Sequence, residues 1–309
     1  MDISNWGGKG MHKPNFFIIG APKCGTTSLA SWLAEHPQIF MSPVKEPHFF
    51  NVDGMQSVRT LPEYEALFAE ATHEHLAIGE ASTHYLYSEA AIRNILEYSP
   101  NAKFLVSIRN PFEMAQALHA ERVYQGMEPV RDFETAWRLQ SIRAQGQKIP
   151  FVARKEPQRL QYGWLCKVGI HIERLFSLVP RDSVLVLVLD DIAQNPSAEY
   201  RKVLNFLGVP DDGRVEFPRY NERKFTRSVL VAKFLRIVLD WARSHLDISW
   251  RRRLGEFIHW RDFIKRWNTR GVSRGTLSPE LKAELCEYFR EDVRLLATLL
   301  RRDFSTWLE

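Results

Sequence analysis

The chain has 309 residues, 45% of them hydrophobic and 26% charged, with a formal net charge of +5 at pH 7. That length and apolar content suit one large α/β domain or two small ones, and exclude a chain too polar to build a core. Three widely spaced cysteines (Cys24, Cys166, Cys286) imply neither a disulfide framework nor a zinc site, and point to a reducing compartment.

In chain order, residues 1–15 are polar and hold no apolar run of leader or anchor type, so residues 1–14 are expected as an extension before one domain over 15–309. The run Phe16-Phe17-Ile18-Ile19 reads as a buried strand ending at Gly20. The loop Ala21-Pro22-Lys23-Cys24-Gly25 follows, then a helix from about Thr27 to Glu35, closed by His36-Pro37. Glycines let such a loop turn sharply so that its amides converge, and the helix N-terminus adds partial positive charge. The result is a nest for a phosphate-like anion. Gly20 and Gly25 keep the glycine spacing of a nucleotide P-loop, but Thr26 stands where its lysine belongs and Lys23 lies inside the loop. The displaced lysine implies an anion other than the β/γ-phosphates of a metal-bound triphosphate.

Further strand-like runs fall near 76–79, 103–108 and 184–189, alternating with helical stretches. This alternation predicts an α/β fold with a central parallel sheet flanked by helices, P-loop-like in its nucleotide-binding architecture. The strand over 103–108 delivers Arg109, whose planar donor fork suits phosphate. The strand over 184–189 is continuously apolar, as parallel sheets require, and ends in Asp190 and Asp191, which can be read as a magnesium site or as a structural acid pair. Between residues 223 and 274, fourteen Lys and Arg stand against four acids, interleaved with Trp241, Trp250, Trp260 and Trp267. That segment reads as a solvated face over core aromatics, an acceptor-side lid, or a peripheral membrane contact over 229–267. Charge alone would also suit nucleic acid, but no recognition motif accompanies it, and none is expected as a partner. A last helix is expected after Pro279.

The segment Pro43-Val44-Lys45-Glu46-Pro47-His48-Phe49-Phe50, taken with the loop at 22–29, resembles the PAPS-dependent sulfotransferases, in particular the branch of glycosaminoglycan sulfotransferases and bacterial homologues. PAPS, 3′-phosphoadenosine-5′-phosphosulfate, is the sulfuryl donor of that family, and PAP its product. The resemblance implies that Lys23, Cys24, Gly25, Thr26, Thr27 and Ser28 hold the 5′-phosphosulfate, that Lys23 contacts the leaving phosphate, that Glu46 is the general base, and that His48 assists or orients. It places Arg109 on the 3′-phosphate. The serine and arginine that usually accompany it are replaced by Ala117 and Met114, so Arg227, Ser228, Arg270, Gly271 or Arg274 are candidates to complete that site. Glu80, His84 and Tyr85, with His48, would line the acceptor cleft. Family members that act on glycosaminoglycans carry a lysine and a proline where this chain has Ala81 and Thr83, which argues against a heavily anionic polysaccharide. The implied activity is sulfuryl transfer to a hydroxyl, less readily an amine, of a carbohydrate or other small metabolite, without a metal, in a cytoplasmic enzyme. Two other readings stay open: a P-loop kinase or nucleotide hydrolase using Asp190 or Asp191, and a non-catalytic nucleotide-binding protein.

Overall fold

A computed structural model describes residues 12–54, 56–219, 225–226, 269–270 and 277–309. In chain order the elements are β1 (Phe16–Gly20), α1 (Thr26–Ala34), β2 (Ile39–Met41), α2 (Leu61–Glu65), β3 (Ala77–Ala81), α3 (Glu89–Tyr98), β4 (Lys103–Ile108) and α4 (Pro111–Tyr124). There follow α5 (Phe133–Arg138), α6 (Gln140–Ala144), α7 (Tyr162–Cys166), α8 (Val168–Leu178), β5 (Val184–Val188), α9 (Leu189–Gln194) and α10 (Pro196–Leu207). The strands β6 (Phe225–Thr226) and β7 (Thr269–Arg270) and the helix α11 (Pro279–Leu300) complete the order. Among the described residues no helix is long and apolar enough to cross a membrane.

The backbone groups into two compact units. One draws on Met1–Pro111, Lys167–Asn221 and Glu291–Trp307; the other on Phe112–Cys166, Glu222–Arg290 and Leu308–Glu309. The first unit holds a five-stranded parallel sheet in the order β2-β3-β1-β4-β5. This is the expected α/β fold: a parallel sheet flanked by helices. Sequence periodicity finds four of its strands and misses β2, whose three residues are too few to show a pattern.

From β1 the chain crosses to the edge strand β2, returns to β3 beside β1, and then passes to β4 and β5 on the other side, so the connections leave β1 and β4 in opposite directions. Open α/β sheets bind ligands at the carboxyl ends of strands at such a switch point. Burial explains why β1 occupies the middle: all five of its residues are enclosed. On one face Phe16 and Ile18 pack with Leu29, Trp32 and Leu33 of α1 and with Tyr200, Val203, Leu204 and Leu207 of α10. On the other, Phe17 meets Phe104 and Phe50 at ring separations of 6.2 and 6.1 Å, and Phe49 stacks on Tyr64 at 4.5 Å. Burying a phenylalanine side chain contributes about 1.5–3 kcal/mol, so Phe49 and Phe50 anchor the loop that carries Glu46.

The second unit is organised around a buried ion pair. Arg143 donates to both carboxylate oxygens of Glu128, at 2.5 and 2.9 Å, and Tyr162 adds a third hydrogen bond at 2.9 Å. Met114 on α4 is fully buried here, which accounts for a methionine where an arginine was looked for; Ala117 is half-buried. The basic segment, with Arg227, Ser228, Gly271 and Arg274, lies outside the described residues; Arg270 is described only as part of β7.

Gly79 in β3 is a test of the central packing. A Cβ built there would lie 2.3 Å from Cζ of Phe16, whose ring is itself enclosed and cannot retreat. Gly79→Ala is expected to lower unfolding free energy by about 1–3 kcal/mol, as overpacking does, measured by urea denaturation.

Candidate anion and group-transfer site

The loop between β1 and α1 is fixed by the end of β4. The amide of Ala21 donates to the carbonyl of Ser107 at 2.7 Å, the Ser107 hydroxyl donates to the carbonyl of Cys24 at 2.5 Å, and Arg109 Nη1 reaches the carbonyl of Lys23 at 3.5 Å. Gly25 precedes α1 with φ +83°, and a Cβ there would lie 2.7 Å from Cδ1 of Leu189. Only glycine meets both demands without strain. The helix begins at Thr26, one residue earlier than expected, with no side-chain cap on its first turn. The N-terminus of such a helix carries roughly half a positive charge.

Three cations gather at this end of the sheet. Lys23 sits in the loop with φ +65°, Arg109 follows β4, and the exposed Lys45 donates to Oγ1 of Thr27 in the first turn of α1. A lysine placed on a helix N-terminus works against the helix dipole, and an anion bound between them removes that opposition. Lys45 carried no role in the sequence reading. Its position directly before Glu46 was the available signal. Cys24 contributes its carbonyl and backbone and not its thiol: burial pushes the thiol up to about 12, against the opposing charges of Arg109 and Lys23. The buried thiol donates to the Pro22 carbonyl at 3.5 Å.

Glu46 and His48 occupy the loop after β2, both in the left-handed region, at φ +56° and +51°. Among the described residues five non-glycine positions have positive φ, and three of them (Lys23, Glu46, His48) belong to the candidate site. Such backbone costs of order 1–3 kcal/mol per residue and persists where surrounding structure dictates it. The Glu46 amide donates to the Ala81 carbonyl at 3.0 Å, at the end of β3. Its side chain is one-third exposed, with Oε2 3.4 Å from Nε2 of the fully buried His48 and Oε1 accepting from the Thr83 hydroxyl at 3.0 Å. Burial raises the Glu46 carboxyl, but the nearby His48 ring, with Lys45 and His84, outweighs it and holds the group down to about 2. Glu46 is therefore ionised throughout the physiological range.

Of the residues expected to line an acceptor cleft, His84 is half-buried, its ring 5.6 Å from that of His48. Glu80 and Tyr85 are enclosed. Glu80 accepts from Ser82 at 2.6 Å, Tyr85 at 2.8 Å and Tyr64 at 3.1 Å. The reading of Glu80, Tyr85 and the equally buried His48 as acceptor-lining is corrected: Glu80 and Tyr85 commit their polar atoms to one another inside the first unit, and the His48 ring is enclosed. Burial raises the Glu80 carboxyl, opposed by those hydroxyls and by His48. Asp191 is likewise engaged, by a two-pronged contact from Arg302, one prong at 2.8 Å. That contact ties Asp191 to the chain just after α11. Among the described residues no group of three or more His, Cys, Asp or Glu is placed to hold a metal ion.

The loop after β1 and the Glu46 loop, held by the end of β3, lie at the switch point of a parallel α/β sheet. A family model described as "Sulfotransferase domain" matches residues 13–223, and the chain belongs to that family. It is similar to carbohydrate sulfotransferase 15 of Homo sapiens, 26% identical, over 63% of this chain and 44% of the relative. It is also similar to the bifunctional heparan sulfate N-deacetylase/N-sulfotransferase 2 of Bos taurus, 28% identical over 63% of this chain and 22% of that protein. The chain thus matches less than half the length of these relatives. A crystal structure of a sulfotransferase from Alicyclobacillus acidocaldarius shares the fold, with TM-score 0.69 and 24% identity, over 96% of this chain and 100% of that one.

Two measurements probe the site. The Glu46 carboxyl is depressed from 4.5 to about 2, so its ion pairing stabilises the native state above pH 4.5 and is lost as pH falls toward 2. The unfolding free-energy difference between the protein and Glu46→Gln is expected to stay constant above about pH 5 and to shrink below it. In the folded protein, iodoacetamide is expected to leave Cys24 unmodified at pH 8, whereas all three cysteines react in urea, as read by peptide mass.

Proposed function

We propose that this chain transfers a sulfuryl group from PAPS to a hydroxyl of a carbohydrate or related small acceptor. What supports the reading is the convergence of Lys23, Arg109 and Glu46, each held by backbone contacts, at the carboxyl ends of the adjacent strands β1, β4 and β3. The family membership and the names of the carbohydrate and heparan sulfate relatives support the donor and the acceptor class.

The chain's residues suit each part of that chemistry. The residue 25–28 amides and the hydroxyls of Thr26, Thr27 and Ser28 would hold the 5′-phosphosulfate, whose bound form supplies the transferable sulfuryl group. Arg109 would take a second phosphate. In the reaction the bond from sulfur to the donor phosphate oxygen breaks and one from sulfur to the acceptor oxygen forms. Negative charge grows on the departing phosphate oxygen, and a preorganised ammonium and helix-end amides stabilise it there. Lys23 is the ammonium within the loop, and Lys45 stands at the helix end. The acceptor hydroxyl gives its proton to Glu46. The His48 ring stands 3.4 Å from Oε2 and helps fix the orientation of that carboxylate.

The kinase and hydrolase reading is less well supported, because the lysine is displaced and Asp191 is taken by Arg302. Glu46→Gln tests the proposal and separates it from a purely binding role. PAP affinity, by calorimetry, is expected to stay within a few-fold, while transfer from PAPS to a panel of neutral and acidic oligosaccharides, read as mass gain of one sulfuryl group, falls at least about a hundredfold. Transfer at the original rate in that variant removes Glu46 from the mechanism. Absence of PAP binding in the unaltered protein removes the donor assignment.

A further inference from the structure

The end of β3 grips the Glu46 loop at consecutive residues. Ala81 accepts the Glu46 amide through its carbonyl, Ser82 accepts the His48 amide through Oγ at 3.0 Å, and Thr83 donates through Oγ1 to Oε1 of Glu46 at 3.0 Å. Behind them stands Glu80. Its carboxylate receives the Ser82 hydroxyl at 2.6 Å and the Tyr85 hydroxyl at 2.8 Å, and that tyrosine oxygen accepts the Phe50 amide at 3.3 Å.

A backbone amide can only donate. Each bridging hydroxyl accepts from its amide and gives its hydrogen to Glu80. Two relays, amide to Ser82 to Glu80 and amide to Tyr85 to Glu80, fix His48 and Phe50 on either side of Phe49. Glu46, His48 and Thr83 then meet with one hydrogen-bond geometry: Thr83 on Oε1 and the His48 ring beside Oε2. The positive φ values of Glu46 and His48 are what these contacts hold in place.

We propose that Thr83 is a positioning residue for the Glu46 carboxylate, and that Glu80 is a second one acting through Ser82 and Tyr85. This deepens the reading of Glu46 as base and rests on it. Thr83 turns the carboxylate plane and occupies one lone pair of Oε1, leaving the remaining lone pairs for an incoming hydroxyl. Glu80 touches no reacting atom. Its role is to keep the loop amides, and with them the carboxylate, in register with the anion nest on β1.

Thr83→Val keeps the side-chain shape and removes only the hydroxyl, Thr83→Ser keeps the hydroxyl, and Glu80→Gln replaces one accepting oxygen by a donor. The first reading is kcat against PAP affinity, using the oligosaccharide that gains sulfate in the panel above. One hydrogen bond to a charged group corresponds to about ten- to a hundredfold, so Thr83→Val and Glu80→Gln are expected to lower kcat by that factor with PAP affinity within about twofold. Thr83→Ser is expected to restore kcat to within about threefold of the unaltered protein. The second reading needs no turnover: the carboxylate carbon resonance of Glu46 at pH 7, assigned by its loss in Glu46→Gln, is expected to move in Thr83→Val and to return in Thr83→Ser. Undiminished kcat in Thr83→Val, an equal loss in Thr83→Ser, or an unmoved Glu46 resonance overturns the role of Thr83, and undiminished kcat in Glu80→Gln overturns that of Glu80. A PAP affinity that falls in parallel with kcat makes the effect merely structural. If the unaltered protein neither binds PAP nor turns over PAPS, the donor reading fails. The resonance then still reports whether Thr83 holds Glu46.

Discussion

Everything functional in this molecule depends on β1 lying between two parallel neighbours. Because β3 and β4 flank it in the same direction, the chain leaves three adjacent strands at one edge of the sheet. The loop after β1 can then be held by β4, through Ser107 and Arg109, while the end of β3 holds Glu46. An antiparallel neighbour would send one of these groups to the opposite edge. The enclosed aromatic and aliphatic residues of β1 keep it in the middle, since a strand apolar on both faces is stable only when both are covered.

The second organising feature is an imbalance of charge that the fold tolerates locally. Lys23, Arg109, Lys45 and the start of α1 bring positive potential to a small region whose carboxylate, Glu46, is one-third exposed and ionised. The cost of gathering like charges is met by burial elsewhere, chiefly by the Phe49–Phe50 anchor and the core beneath α1. Left-handed backbone at Lys23, Glu46 and His48 adds to that cost. Each penalty is of the order of one to a few kcal/mol, and each decreases when an anion enters the nest or when neighbouring groups lock the loop.

How far the site could be read in advance differs by residue. The β1 loop was legible because its signal is local: glycine spacing, a lysine and a helix start fall within a dozen residues. Arg109 was legible because an apolar strand delivers it. Glu80 and Tyr85 were misplaced, since a charged residue in a strand looks like a site until one knows that hydroxyls from Ser82, Tyr85 and Tyr64 enclose it. Thr83 was passed over as a position in a motif, because its partner lies 37 residues away in the chain. Strand β2 escaped because three residues cannot display a period.

The linear order of residues by itself therefore settled the class of fold and marked the β1 loop as a candidate, because propensity, apolar runs and short motifs act over a few neighbours. Which carboxylate is free to react and which is spent on the framework was decided only by the tertiary structure. Glu46 and Glu80 are alike in composition and each sits beside a histidine and hydroxyls. Folding gives one of them an exposed face and cationic neighbours, and gives the other an enclosed site with three donors, and burial and partners separate their acidity in opposite directions.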